Sequence, residues 1–461
     1  MELKIAENSV DKTFTLSKYP KLIIGNVGAE SLVGEPDKLS EKAGSMWSSF
    51  SYRLAWLLEK GDILLLPKQI SKEFLTYILS IKGLQKEDVH IIVPDNVHHK
   101  ELLTYETLNN KSLKEKLTTL MSGKTWDVIP YFFDRAVAQL VKDLPVKIKP
   151  HILDYFRQGG SEVLNSKIEY RRIAGAYDIP VPEGLNCYTP GELYQAIKEL
   201  IDITGSVIIK QDTNASGQGN IVITYDQRTE SPGAYKTLCI KQESQLEELY
   251  MKIWSDLTGE LNTKLVVEAY YETVSVFYAE LEVKEGTLRP YLLNFGDMRM
   301  EPVWNGFEIP TVSLKPYAIG EFVSNCTKLT EIVMQRGYIG LINIDGILTS
   351  DGKVMISEIN GRTGGSTHVH VVAEHLYGEN YGDNFTILTQ NKVNIGNKGF
   401  GELLNELKIN RLLASKNQEG VVLLNDENQS KSIEYMIIGE TRERAYDLEN
   451  NFRKFLNQFI K

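Results

Sequence analysis

The chain is 461 residues long, 42% hydrophobic and 24% charged, with a mean hydropathy of −0.23, which excludes a mainly disordered or fibrous protein. Its formal charge of −10 excludes the basic field that bulk binding to nucleic acid or an anionic membrane needs, while leaving room for a local cationic site. No apolar run approaches the ~18 residues of a membrane span, no leader-like segment opens the chain, and Cys187, Cys239 and Cys326 lack metal or disulfide spacing, so a reduced cytoplasmic protein is expected.

In chain order, the apolar runs 21-KLIIGNVG, 62-DILLLPK and 89-VHIIVPD predict buried parallel strands. The helical-period stretches 46-MWSSFSYRLAWLLEK and 71-SKEFLTYILSIKG separate them, so a doubly wound α/β module is expected over roughly 20–150. A helix over 166-SKIEYRRIAGAYD, a breaker at 179-IPVPEG, a helix near 190–203 and strands at 206-SVIIKQD and 221-IVITYD follow. A helix around 243–256 precedes one long strand, 264-KLVVEAYYETVSVFYAELEV. Residues 280–380 read as strand-rich with a helix around 321–336, and the tail as a helix, two strands and a closing helix.

Familiar nucleotide motifs fail: Gly123-Lys124-Thr125 has Thr118 where a phosphate loop needs glycine, and Gly25 and Gly28 lack the dinucleotide spacing. The loop 213-TNASGQGN-220 between two strands is more telling, because small residues let backbone N–H groups approach a phosphate, with Lys210 as a neighbouring cation. A plain hairpin loop fits the same residues. The sharpest feature is 339-IGLINIDGILTSDGKVMISEINGRTGGSTH-368. A two-residue turn at Asp351-Gly352 sets Asp345 opposite Glu358 on one face, with Asn360 beside it and Asn343 facing Asn360. The other face carries Ile342, Ile344 and Ile359. Two acids and an amide among apolar neighbours are costly unless a cation neutralises them, and such hard oxygens suit Mg²⁺ bridged to phosphates. A solvated polar stripe is the plainer alternative. Arg362 follows at once, able to grip an anion in bidentate fashion. His368 and His370 form an HxH pair without a third ligand cluster, so His368 is expected at the rim of the anion site and His370 structural.

Together these residues resemble the ATP-grasp fold over about 160–380. The order Lys167, Lys210, 213-TNASGQGN, 267-VEAYYE, Asp345 and 358-EINGR is similar to that family's sequence of sites. The resemblance implies ATP between two α+β lobes. It implies phosphate contacts from Lys167 and Lys210, and cover by Ser216, Gly217 and Gly219. It further implies an adenine hinge at Glu268 and Tyr270, a ribose-binding acid at Glu272, and two Mg²⁺ ions on Asp345, Glu358 and Asn360. In 358-EINGR a glycine stands where relatives carry proline, and Asn343 stands where D-alanine–D-alanine ligases carry an arginine. The N-terminal module and 358-EINGRTGGSTH look most like bacterial ligases with a pre-ATP-grasp domain, such as the pheganomycin-type peptide ligases. The implied division is a doubly wound pre-ATP-grasp α/β domain over 1–155, a two-lobed ATP-grasp domain over 156–390 (lid lobe about 165–265) and a small C-terminal α+β cap over 391–461.

The expected activity is ATP-dependent ligation: a carboxylate is activated as an acyl phosphate and passed to an amine. Arg362, Arg299 and Lys210 serve the reaction, and Arg362, Gly364, Ser366 and His368 contact the substrate. A thioester-forming ligase acting on a carrier protein and a non-catalytic ATP-binding sensor are the alternatives. Small-molecule or peptide substrates and a homodimer fit the resemblance; nucleic-acid and membrane partners do not.

Overall fold

The computed structural model describes residues 18–213, 219–227, 230–259, 263–427 and 430–460. Strands β1 (Lys21–Ile24), β2 (Ile63–Leu65), β3 (His90–Ile92) and β4 (Asp127–Pro130) form a parallel sheet in the order β3-β2-β1-β4. The chain thus winds from β1 to β3 in one direction and returns to the other side of β1 as β4. Sheets of this kind place functional loops at the carboxyl ends of the strands where that order reverses. The helix Lys72–Lys82 forms where the periodicity places it, because Ser71 Oγ accepts from the Phe74 N–H (3.2 Å) and Gly83, at φ +68°, ends it. The stretch 46–60 departs from expectation. An α-helix over Glu41–Phe50 tightens into 3₁₀ turns over Ser51–Leu57. This segment is buried on several sides and is held by long-range bonds, Ser51 Oγ to the Gly25 carbonyl (2.6 Å) and Trp56 Nε1 to the Leu424 carbonyl (2.9 Å).

A second sheet has the order β5-β9-β6-β7-β8, from β5 (Gly184–Cys187), β6 (Ser206–Gln211), β7 (Ile221–Thr224), β8 (Lys236–Cys239) and β9 (Leu265–Ala269). The helices Pro190–Thr204 and Ser244–Leu257 cover one face, burying Val207, Ile209 and Val267. Ile208, Lys210 and Glu268 alternate onto the other face.

The third sheet is antiparallel, in the order β14-β13-β10-β11-β12-β15-β17-β16. It comprises β10 (Thr273–Val283), β11 (Tyr291–Glu301), β12 (Val303–Ile309), β13 (Gly340–Thr349), β14 (Val354–Asn360), β15 (Thr386–Asn394), β16 (Gly420–Glu427) and β17 (Ser432–Gly439). The single strand expected over 264–283 is therefore two. β9 pairs with β5 and β6, whereas β10 pairs with β11 and β13, and Tyr270–Glu272 carry the chain between sheets. The alternation runs through the break, so periodicity alone does not reveal it. The tail extends this large sheet through β15, β17 and β16, and its core is shared with the N-terminal segment around Trp47–Leu79. Among the described residues no helix is long and apolar enough to cross a membrane.

The seam between the two halves of the large sheet rests on β12 and β15, paired at Glu308–Leu388 and Ile309–Ile387. A Cβ at Gly306 would lie 2.0 Å from the Thr389 carbonyl oxygen, a backbone atom that cannot swing away. Gly306→Ala is expected to cost about 2–3 kcal/mol by overpacking this seam. A chemical-denaturation midpoint unchanged from the parent would contradict that account of the junction.

Candidate active site

The β13–β14 hairpin builds one wall of a cleft between the second and third sheets. Asn343 pairs with Asn360 and Asp345 with Glu358, so both acids share a face and Ile342, Ile344 and Ile359 share the other, against the helix Pro316–Gln335. The route to this register differs from the expected one. Thr349 N–H bonds the Lys353 carbonyl (3.0 Å), closing a three-residue loop with Gly352 at φ +89°. Beyond that loop Leu348 pairs with Val354 and Gly346 with Ile356, one residue out of step with the two-residue-turn register. An extra residue, Ser357, then bulges out of β14 and restores the pairing of the two acids.

Three cations surround the acids. Lys167 Nζ lies 3.1 Å from Glu358 Oε1; Ser166 caps that lysine's helix, and the Lys167 N–H bonds the Asp212 carbonyl (3.1 Å). Lys210 Nζ lies 2.6 Å from Glu268 Oε2, while Arg171 Nη1 lies 2.6 Å from Glu268 Oε1. Burial alone would raise the Glu268 carboxyl, but these two cations outweigh it and hold the carboxyl below its usual range. Arg362 Nη2 donates to Asn360 Oδ1 (2.8 Å) and Nη1 to Tyr131 Oη (3.0 Å). Asp345 is pushed well above the usual carboxylate range, to about 7, by burial and then by the facing Glu358, against the pull of Arg362, Lys167 and Lys210.

The loop after β14 is held from three directions. Asn343 Nδ2 donates to the Arg362 carbonyl (2.9 Å), and Thr363 N–H donates to the Tyr131 carbonyl (2.9 Å). Buried Glu280 on β10 accepts from Ser366 Oγ (3.0 Å), Asn294 Nδ2 (2.9 Å) and Thr367 Oγ1. Glycine is required here, since a Cβ on Gly364 would meet Asn343 Oδ1 at 2.0 Å. Tyr131 follows β4, so the first sheet's order reversal delivers a residue directly to this site.

Lys210, Glu268, Tyr270, Asp345, Glu358, Asn360, Arg362 and Gly364 line one cleft, and Lys167 reaches it through Glu358. The cleft offers about 220 Å³, far above the ~10–15 Å³ that one buried water needs. The Tyr270 N–H is spent on the Ser206 carbonyl (2.9 Å), so any contact with a base runs through its carbonyl or ring.

Other expected residues fall elsewhere. Arg299 alternates with cleft-lining Met298 and Met300 and faces away, where Glu449 of the closing helix holds it bidentately at 2.6 and 3.0 Å. His368 is buried against Glu434 (3.1 Å) and burial holds it neutral-favouring, below its usual range. Ser366 is spent on Glu280, and Glu272 is exposed outside the cleft lining, its carbonyl accepting from Ser350 N–H (2.9 Å). Gly219 is buried but is not a cleft-lining residue; Ser216 and Gly217 lie outside the described residues. Arg171, Tyr131 and Arg53 were missed, because no local spacing connects them with acids some hundred or more residues away.

Hard oxygen donors from two half-buried carboxylates that face each other and from a buried amide fit a divalent cation. Residues 51–146 match the Pre ATP-grasp domain model. No curated protein matches the chain by sequence. Among solved structures, biotin carboxylase from Campylobacter jejuni in a β,γ-ATP complex is 13% identical with a TM-score of 0.58, over 93% of this chain and 90% of that one. N5-carboxyaminoimidazole synthase from Aspergillus clavatus, with ADP and 5-aminoimidazole ribonucleotide, is 11% identical with a TM-score of 0.54, over 86% and 98%. The ADP complex of PurK, an N5-carboxyaminoimidazole ribonucleotide synthetase, is 14% identical with a TM-score of 0.57, over 96% and 98%. The chain thus shares the overall fold of these structures. The stretch matched by the Pre ATP-grasp model carries β2, β3 and β4 of the N-terminal sheet.

Because the folded, metal-free protein favours protonated Asp345, stability falls as pH rises from the ordinary carboxylate range towards 7. Asp345→Asn should therefore stabilise the chelator-treated protein more at pH 8 than at pH 5, by about 1–2 kcal/mol in urea denaturation. Equal effects at the two pH values would show that the acid pair is not in conflict.

Proposed function

We propose that the protein is an ATP-dependent ligase that activates a carboxylate as an acyl phosphate and transfers the acyl group to an amine. The observation that carries this reading is the facing pair Asp345 and Glu358 on the cleft wall, ringed by Lys167, Lys210 and Arg362. A carboxylate is a poor electrophile because its oxygen is a poor leaving group. Transfer of the γ-phosphoryl group to a carboxylate oxygen releases ADP and leaves phosphate as the departing group. The amine nitrogen then attacks the acyl carbon, the C–O bond to phosphate breaks, and the ammonium proton is lost.

In this reading Asp345, Glu358 and Asn360 would hold Mg²⁺, which would supply charge to offset the phosphates. Lys210 and Lys167 exchange their partners Glu268 and Glu358 for phosphate oxygens. Arg362, fixed by Asn360 and Tyr131, steadies the carboxylate being activated. The segment Tyr270–Tyr271 between the sheets borders the base. Enclosure matters because an acyl phosphate open to water hydrolyses. Contacts from the second sheet support it: Gly233 N–H bonds the Pro302 carbonyl (2.8 Å) and Tyr270 Oη donates to the Pro232 carbonyl (2.9 Å).

Glu358→Gln should lower ATP turnover at least ~100-fold while leaving the melting temperature within a few degrees, since the side chain keeps its shape and loses its charge. Near-parental ADP release from that variant would overturn the role given to the acid pair. Arg362→Ala should slow acyl phosphate formation, trapped as the hydroxamate, more than it weakens ATP affinity. Equal losses in both would make the arginine a structural group.

A further inference from the structure

Past the acids, the cleft opens into a compartment the phosphoryl-transfer reading leaves unused. Trp47, Phe50, Met298, Met300, Trp304 and Phe307 wall it. Trp47 meets Phe50 edge-on at 6.1 Å between ring centroids, and Trp304 lies 5.1 Å from Phe307. The loop bearing Arg362 forms the adjoining wall, and a Cβ on Gly365 would sit 2.6 Å from the Trp304 ring, so glycine lets the indole pack directly on that loop. Two N–H donors there, Arg362 Nε and Trp304 Nε1, are buried with no hydrogen-bond partner in the protein. Unpaired buried donors are costly, and a ligand oxygen would satisfy them. Two further cations lie at Phe50: Arg53 stacks on it at 4.1 Å, with Nε donating to Glu434 (2.7 Å) and Nη2 to Asn391 (2.9 Å), and Lys392 Nζ, on an exposed residue outside the lining, lies 5.9 Å from the ring. Among the described lining residues the walls here are thus mainly apolar and aromatic, and Arg53 is already paired.

We propose that this compartment selects the acyl donor, a carboxylic acid with an aromatic or bulky apolar body and no second acidic group, its carboxylate towards Arg362 and its body against Trp304. The choice of an acyl donor rests on the ligase reading above, but binding can be measured apart from turnover. Saturation-transfer NMR with Mg²⁺ and a non-hydrolysable ATP analogue would compare 3-phenylpropanoate and L-phenylalanine with acetate and L-aspartate. Hydroxamate formation from ATP and hydroxylamine would be followed in parallel, so that the natural amine does not enter.

The aromatic acids are expected to bind at least tenfold more tightly than the others. Trp304→Ala should weaken them tenfold or more with analogue affinity held within twofold, and Trp304→Phe should restore most of the loss. Should Trp304→Ala not fold, Met300→Lys carries the same test, with preference moving towards aspartate. Preference for the small or charged acids, binding of none, or a Trp304→Ala loss shared equally by the analogue would each overturn the proposal. Aromatic acids that bind in this Trp304-dependent way without hydroxamate or ADP would leave the compartment standing and remove the ligase reading. Hydroxamate from acetate or aspartate alone would do the reverse.

Discussion

Two carboxylates held face to face on the wall of a cleft are an arrangement that protein folding does not favour by itself. The β13–β14 register places Asp345 opposite Glu358, and packing of Ile342, Ile344 and Ile359 on the reverse face keeps the hairpin from turning over. Everything nearby answers this charge. Lys167 leans on Glu358, Lys210 and Arg171 share Glu268, and Arg362 is clamped by an amide and a phenol. The resulting site pairs Glu358 and Glu268 with exchangeable cations and leaves Asp345 short of one, which suits it to a polyanion arriving with a divalent ion.

Support for this arrangement comes from parts of the chain remote in sequence. Glu280 on β10 is wholly buried and accepts from Ser366, Thr367 and Asn294, fixing the glycine-rich loop from below. Tyr131, at the order reversal of the parallel sheet, fixes it from the side. The N-terminal domain is therefore a working wall of the cleft as well as a neighbour of it.

What was legible in the sequence was whatever depends on short-range periodicity and capping. The helices after Ser71 and Ser166, the apolar strands of the parallel sheet, and the alternation that sets Asp345, Glu358 and Asn360 on one face all follow from spacing within a dozen or so residues. The acids pair as spacing predicts although the hairpin loop is one residue longer than a two-residue turn. A longer loop shifts the register by one, and the bulge at Ser357 shifts it back. Where tertiary partners decide, periodicity falls silent. Nothing local marks the change of sheet at Tyr270–Glu272, and nothing local reveals that Glu449 waits behind β11 for Arg299. His368 reads as a site residue until Glu434, from the far end of the chain, claims it.

The bond from Trp56 to the Leu424 carbonyl spans 368 positions, and the core around it joins both ends of the polypeptide. Synthesis at roughly 5–20 residues per second would leave the early half of that core bare for about 20–70 s before its complement leaves the ribosome. During that interval the faces of Trp56 and Phe74 that pack against residues near 400 and 424 lack their native cover. The architecture therefore makes the final strands the step that commits the nascent molecule to its native state.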